Sequence, residues 1–371
     1  MLDRREFLTL SAAAAASLTG LRRAAALPFQ DQPAPAFVID ALGSPGGTSD
    51  GPLTAEQIAD VRASGLTAVN LTVGAVGVLA NAFEETVKGI ASWEQELAAH
   101  PDVLLKVRSA ADLQTARDTG RLGLIYGFQD TLPLGDDLDR METFYNLGVR
   151  IIQLTYNRRN LAGDGCLEPA DAGLSRLGHA MVERMNQRGI LVDLGHSGRR
   201  TALDAIEASK GPVAITHTGC AALADLPRNK TDEELRRLAD KGGVAGIYLM
   251  PFLRTKGQPM AEDVIRHIEH AVQVCGEDHV GIGTDGGISA IQLTPEYIER
   301  FRKNVQDRRR LGISAPGESE DVYTFVPDLN TPRRFELIGR HLLDRGHSEA
   351  RVAKILGGNF ARLFRETWAR T

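Results

Sequence analysis

Residues 190–196 read Ile190-Leu191-Val192-Asp193-Leu194-Gly195-His196, and residues 213–218 read Val213-Ala214-Ile215-Thr216-His217-Thr218. Each is a short, nearly continuous apolar run that ends in a histidine, and a helical pattern over Thr201 to Ser209 lies between them. Continuous rather than alternating apolar runs are the pattern of strands buried on both faces of a parallel sheet. The same unit recurs outward in both directions. Its other strands are Phe37-Val38-Ile39, Ala68-Val69-Asn70-Leu71, Leu122-Gly123-Leu124-Ile125, Val149-Arg150-Ile151-Ile152-Gln153-Leu154, Val244-Ala245-Gly246-Ile247 and Val280-Gly281-Ile282. Helical patterns over Leu174 to Arg188, Asp232 to Lys241 and Ala261 to Cys275 separate several of them, and Gly148, Gly189 and Gly243 stand where a helix hands over to a strand.

Eight strands of this kind predict either a (β/α)8 TIM barrel or a doubly wound sheet. The polar residues decide between them. Directly after the runs stand Asp40, Asn70, Gln129, Tyr156 with Asn157, His196, His217, Tyr248 and Asp285. A barrel gathers such strand ends at one mouth, whereas an open sheet spreads them along an edge. The first loop, Leu42-Gly43-Ser44-Pro45-Gly46-Gly47, lacks dinucleotide-fingerprint spacing, and no P-loop pattern occurs. The expected fold is therefore a single α/β barrel over residues 27–371. Gly43 to Pro52 and Pro251 to Pro259 read as loops over the mouth, Ile313 to Pro332 as an irregular insert, and Phe335 to Trp368 as closing helices.

The 371 residues hold 43 Lys+Arg against 48 Asp+Glu, a net charge of -5, and no dense basic run marks a nucleic-acid-binding face. The N-terminus carries Arg4-Arg5 ahead of an Ala-rich stretch from Phe7 to Leu21, then Arg22-Arg23 and Ala24-Ala25-Ala26. This is the pattern of a twin-arginine export signal with a cleavage site after about Ala26. The expectation is a soluble periplasmic, or otherwise exported, protein that engages the twin-arginine machinery; removal of residues 1–26 shifts the net charge to -7. Cys166, Cys220 and Cys275 lack metal-type spacing, and their odd number predicts unpaired, structural thiols.

Two imidazoles on adjacent strand ends, His196 and His217, with the Asp285 carboxylate nearby, have the residue types of a zinc site with an open position. The other reading of each is a buried side chain that merely satisfies backbone groups. Beyond this trio, Gly148-Val149-Arg150, Leu154-Thr155-Tyr156-Asn157, Asp193-Leu194-Gly195-His196, Pro227-Arg228-Asn229, Gly281-Ile282-Gly283-Thr284-Asp285 and Gly357-Gly358-Asn359-Phe360 occur in order. Together they resemble the membrane (renal) dipeptidase family of zinc peptidases over nearly the whole chain after the signal. The resemblance implies a (β/α)8 barrel with two zinc ions that cleaves dipeptides. It assigns His196 and His217 to one zinc, Asp285 to the metal-bound water, and Arg228 with Asn229 to the substrate carboxylate. Relatives often pair, so a homodimer is also implied.

The sequence departs from that pattern at the first metal. Leu42 and Ser44 stand where the family carries His-x-Asp, Gln129 replaces a bridging Glu, and Tyr156 replaces a His that stabilises the tetrahedral intermediate. Leu42 donates nothing and Gln129 is neutral, so the repulsion of two closely spaced dications goes uncompensated. The expectation is at most one zinc, on His196 and His217 with the Gln129 oxygen or Asp285. Tyr156 remains able to donate to an oxyanion. The expected function is hydrolysis of dipeptides or a related small amide. The alternatives are a catalytically silent barrel for a peptide-like or anionic small molecule, and a repurposed enzyme that works without metal.

Overall fold

Strands β1 (Ile39–Asp40), β3 (Ala68–Thr72), β5 (Leu122–Phe128), β6 (Val149–Gln153), β7 (Leu191–Asp193), β8 (Ala214–Thr218), β9 (Val244–Ile247) and β10 (Val280–Ile282) run in that order around one parallel sheet. These are the eight runs identified in the sequence. The computed structural model describes residues 36–47, 51–77, 80–312 and 314–369. The proposed export signal and its cleavage point lie outside them. The described residues belong to one compact unit beginning at Ala36.

The sheet closes between β1 and β10, where the backbone N–H of Ala41 donates to Ile282 O at 2.9 Å and that of Asp285 to Leu42 O at 2.8 Å. Two short strands continue this seam above the barrel. β2 (Gly43–Ser44) and β11 (Gly286–Gly287) form a separate parallel pair with Gly43 opposite Gly286. The fold is thus the α/β (β/α)8 TIM barrel.

Side chains clamp the seam more firmly than its few backbone bonds. Asp40 Oδ1 accepts from Thr284 N at 2.8 Å and from Leu42 N at 3.2 Å, and Asp40 Oδ2 accepts from Thr284 Oγ1 at 2.6 Å. The arrangement repeats between β7 and β8. Asp193 Oδ1 accepts from Thr216 N at 2.8 Å and Gly195 N at 3.1 Å, and Asp193 Oδ2 accepts from Thr216 Oγ1 at 2.6 Å. Both carboxyls are fully buried. Burial raises Asp40 to about 7, against the lowering effect of the Thr284 donors, and raises Asp193 in the same way. In each clamp the residue after the threonine is one that the sequence singles out for chemistry, Asp285 in one and His217 in the other.

Two apolar layers hold the barrel. Ile39, Ala68, Ile125, Ile151, Leu191, Ala214 and Val244, from seven barrel strands, pack with Phe360, Leu363, Phe364 and Trp368. Most of these are first residues of their strands, so the helix Asn359–Trp368 plugs the N-terminal end of the barrel. A larger cluster, including Val69, Leu124, Ile152, Val192, Ile215 and Ile247, joins the strands to the outer helices. Those helices start and stop at local signals. Ser175 caps Arg176–Arg188 by accepting from Gly178 N, and Gly189 ends that helix in the left-handed region at φ 62°. Thr231 and Glu234 form a capping box on Asp232–Asp240.

The strand Gly43–Ser44 corrects the expectation of a loop from Gly43 onward, and besides it and its partner β11 two elements were not anticipated. The strand β4 (Leu104–Lys106) pairs the first half of β5; three residues with only Leu104 fully buried carry almost no periodic signal. The helix Pro295–Arg310 lies between the eighth barrel strand and the expected irregular insert, and its buried residues are only Phe301 and Val305. Among the described residues no helix is long and apolar enough to cross a membrane.

Removing the Asp40 carboxyl strands three donors in a dry seam, each at a cost of about 1–3 kcal/mol. Asp40→Ala is therefore expected to lose about 3 kcal/mol in urea unfolding. A loss near zero would show that the seam does not depend on this clamp.

Candidate active site at the barrel mouth

The C-terminal strand ends bring His196 and His217 together, with ring centroids 4.9 Å apart at 60°. Tyr156 stacks on His196 with centroids at 4.2 Å and 27° between the planes. The hydrogen bonds around the pair set its tautomers. His196 Nδ1 lies 2.6 Å from Asn157 Oδ1, an atom that only accepts, so the imidazole donates from Nδ1 and carries its lone pair on Nε2. That lone pair is engaged by Arg228 Nη2 at 3.2 Å. His217 Nδ1 lies 2.9 Å from Thr216 Oγ1, whose own proton goes to Asp193 Oδ2. Its Nε2 is buried and has no hydrogen-bond partner among the described residues.

Both imidazoles are held well below the usual histidine range, first by burial and then by Arg228; Lys230 acts on both in the same direction. Arg228 is itself only 1% exposed. Its Nη1 donates to Gly195 O at 2.8 Å, and the Tyr248 and Phe252 rings lie 5.9 Å from its guanidinium carbon. Among the described residues no carboxylate lies within ion-pair distance of it. Lys230 is equally buried, donates to Ser197 O at 2.5 Å and pairs with Glu234 at 3.3 Å.

Asn229 is a pin for its loop. Its Nδ2 donates to Ala224 O at 2.6 Å and Phe252 O at 2.9 Å, and its Oδ1 accepts from the Tyr248 hydroxyl. Gln129 stands apart from the imidazoles in its bonding, with Nε2 donating to Thr72 Oγ1 at 2.8 Å.

Two cavities open at the mouth and share Asp285. One, of about 400 Å³, is lined by Tyr156, Met250, Asp285, Tyr297, Arg300, Phe301, Arg308 and Glu318 among others. The second, of about 360 Å³, is lined by Leu42, Ser44, Leu71, Thr72, Trp93, Gln129 and Asp285. Neither lining includes His196, His217, Arg228 or Asn229.

Burial raises the Asp285 carboxyl to about 6, with Arg228 and Arg308 opposing that rise. Asp285 also takes up φ 57°, the left-handed region, which a residue other than glycine seldom occupies. Arg308 hydrogen-bonds the Tyr156 hydroxyl and forms a two-pronged ion pair with Glu318 at 2.8 and 2.9 Å. Burial keeps the Tyr156 hydroxyl protonated by raising its pKa.

Arg300, Arg308 and Glu318 were not singled out in the sequence. They lie on a strongly polar helix and the segment after it, where charged residues ordinarily read as a solvated surface. The run Arg308-Arg309-Arg310 gives no sign of which arginine turns inward.

The sequence model of the membrane dipeptidase family, peptidase family M19, matches residues 54–303. The chain belongs to this family. Dipeptidase verJ of Clonostachys rogersoniana is 30% identical over 221 residues, covering 58% of this chain and 56% of that protein. Dipeptidase tcpJ of Claviceps purpurea is 27% identical over 286 residues, 76% of this chain and 60% of that protein. The match thus spans less than two thirds of these curated relatives. Among solved structures, an amidohydrolase from Pseudomonas aeruginosa shares 34% identity at a TM-score of 0.78, covering 90% of this chain and 97% of its own. The metallo peptidase called dipeptidase AC shares the fold at a TM-score of 0.72 and 19% identity, over 90% of this chain and 99% of its own.

This membrane dipeptidase relative belongs to a family of metallopeptidases, but its donor set does not fit the metal centre that the resemblance implies. Among the described residues no group of three or more His, Cys, Asp or Glu is placed to hold an ion. The His196 lone pair is engaged, and the fixed charges nearest the imidazoles are positive. At an effective dielectric of about 20, two unit charges ~4 Å apart interact by about 4 kcal/mol, and a dication doubles that cost against a guanidinium.

With both pKa values depressed, protons bind the imidazoles only in acid. ¹⁵N spectra are expected to show His196 and His217 still neutral at the pH where an ordinary histidine, near 6.5, is half protonated. A midpoint at or above that ordinary value for either ring would contradict this electrostatic picture.

Proposed function

We propose that the protein is an exported hydrolase that cleaves dipeptides or a related small amide in the cavity shared by Tyr156, Asp285 and Arg308. The observation that carries this reading is the convergence of a base, a hydroxyl donor and cationic groups on one concave site of about 400 Å³. Membership of the dipeptidase family supports the reaction class. The residues at the mouth would hold at most one zinc, and the Tyr156, Asp285 and Arg308 side chains can act without it.

Asp285 is the base. In its ionised form it takes a proton from a water molecule, and the resulting hydroxide adds to the amide carbonyl. The hydroxyl of Tyr156 accepts from Arg308, so its own proton is left to donate to the oxyanion that forms. When the carbon–nitrogen bond breaks, protonated Asp285 gives its proton to the leaving amine, which restores the carboxylate. Arg300 lines the same cavity and has no carboxylate within ion-pair distance among the described residues, which suits it to a substrate carboxylate. Tyr297 and Phe301 add apolar wall beside it. Arg228, assigned to the substrate by resemblance, has two of its five donors committed to Gly195 and His196 inside the barrel.

The twin-arginine pattern at Arg4-Arg5 supports export in the folded state. The reading with a silent binding barrel gains from the same cationic cavity, and turnover separates the two.

A dipeptide panel that includes D-residues at the C-terminal position tests the hydrolase. The base must be ionised, so kcat/KM is expected to rise with pH through a midpoint near 6, the value to which Asp285 is raised. Asp285→Asn is expected to lose at least ~100-fold in kcat, and Tyr156→Phe about 10–100-fold. Arg300→Ala is expected to raise KM with little change in kcat. Absence of turnover across the panel, or equal turnover by wild type and Asp285→Asn, would count against the proposal. For export, a double Arg4→Lys, Arg5→Lys precursor is expected to stay in the cytoplasm on cell fractionation.

A further inference from the structure

The environment of Arg228 bears on a question that the choice of substrate leaves open. We propose that the His196–His217 pair of this chain binds no metal ion, because the buried Arg228 guanidinium holds the one lone pair that His196 could offer.

Three observations carry this. The first is the engaged lone pair: Arg228 Nη2 donates to His196 Nε2 at 3.2 Å, while Nδ1 is committed to Asn157. A metal ligand must present an unprotonated nitrogen, and His196 has no other to offer. The second is that the guanidinium is built in. It is 1% exposed, anchored to Gly195 O at 2.8 Å and flanked by Tyr248 and Phe252, so it does not leave its position for solvent.

The third is the charge of the surroundings. Zinc sites balance the dication with thiolates, carboxylates or, on three histidines, a bound hydroxide. Here the neighbours of the imidazoles are Arg228 and Lys230, and the one carboxylate paired with Lys230, on Glu234, belongs to that ion pair. The second imidazole fits the same account. His217 Nε2 is a single buried acceptor with no partner, and one free nitrogen does not make a chelating site.

The field of Arg228 reaches Asp285, and Tyr156 as well.

The test uses the full chain, expressed with zinc in the medium and passed through gel filtration without chelator. Plasma mass spectrometry is expected to find less than about 0.1 zinc per chain, and calorimetric titration with zinc chloride no saturable binding. Stoichiometric zinc on the wild-type protein, or turnover abolished by phenanthroline and restored by zinc, would overturn the inference. Arg228→Gln removes the positive charge and frees the His196 lone pair, and is expected to gain zinc affinity by at least ~10-fold. Wild-type metal content remains decisive if that variant fails to fold. The zinc measurements are independent of whether any dipeptide is cleaved, so the outcome is separate from that of the hydrolase proposal.

Discussion

The paired contact between a buried aspartate at one strand end and a threonine on the neighbouring strand is the constraint on which the barrel mouth depends. Asp40 receives both the N–H and the hydroxyl of Thr284 across the closing seam, and Asp193 receives both from Thr216. Each clamp fixes the threonine backbone and side chain at once, so the residue that follows has little freedom in its direction. Those following residues are Asp285 and His217. One element of closure therefore also determines where the Asp285 carboxyl sits and which nitrogen of His217 bears the proton. Each buried carboxyl is satisfied by three donors, which offsets part of the cost of burial, and Arg334 adds a favourable charge at Asp40.

Electrostatics gives the mouth a different character from that of a metal centre made of acids. Two neutral imidazoles lie beside two buried cations, and the nearest functional carboxylate, Asp285, is shifted upward by burial while Arg228 and Arg308 restrain it. A carboxyl raised to about 6 is a stronger base than an exposed aspartate and is still largely ionised at neutral pH. The same arginines that keep it ionised also polarise Tyr156. The Asp285 carboxyl and the Tyr156 hydroxyl are thus tuned by a common set of charges rather than by separate devices.

The cover of the larger cavity is built from the helix Pro295–Arg310 and the segment that follows it. Arg308 connects this cover to the barrel through Tyr156 and is fixed on its other side by Glu318, so the cover and the strand-end chemistry share a hydrogen-bond network. Arg300, Tyr297 and Phe301, on the same helix, then become walls of the cavity instead of surface residues. This segment is where a substrate preference would be encoded, because the rest of the lining comes from strand ends whose positions the barrel already fixes.

Periodicity and residue type by themselves determined the eight strands, the barrel and the mouth residues Tyr156, His196, His217 and Asp285, whereas the departures at Leu42, Ser44 and Gln129 were implied only by the family resemblance. Continuous apolar runs and strand-end polar groups depend only on local spacing, which the sequence displays directly. Only the tertiary structure decided what each of those groups touches. That Arg228 turns inward to His196, that Asn229 pins a loop, and that Arg308 rather than Arg309 or Arg310 reaches Tyr156 are matters of contact between residues far apart in the chain. Charge state follows from the same contacts, since burial and neighbouring charge, neither visible in a residue's own sequence context, set whether an imidazole or a carboxyl is free to do chemistry.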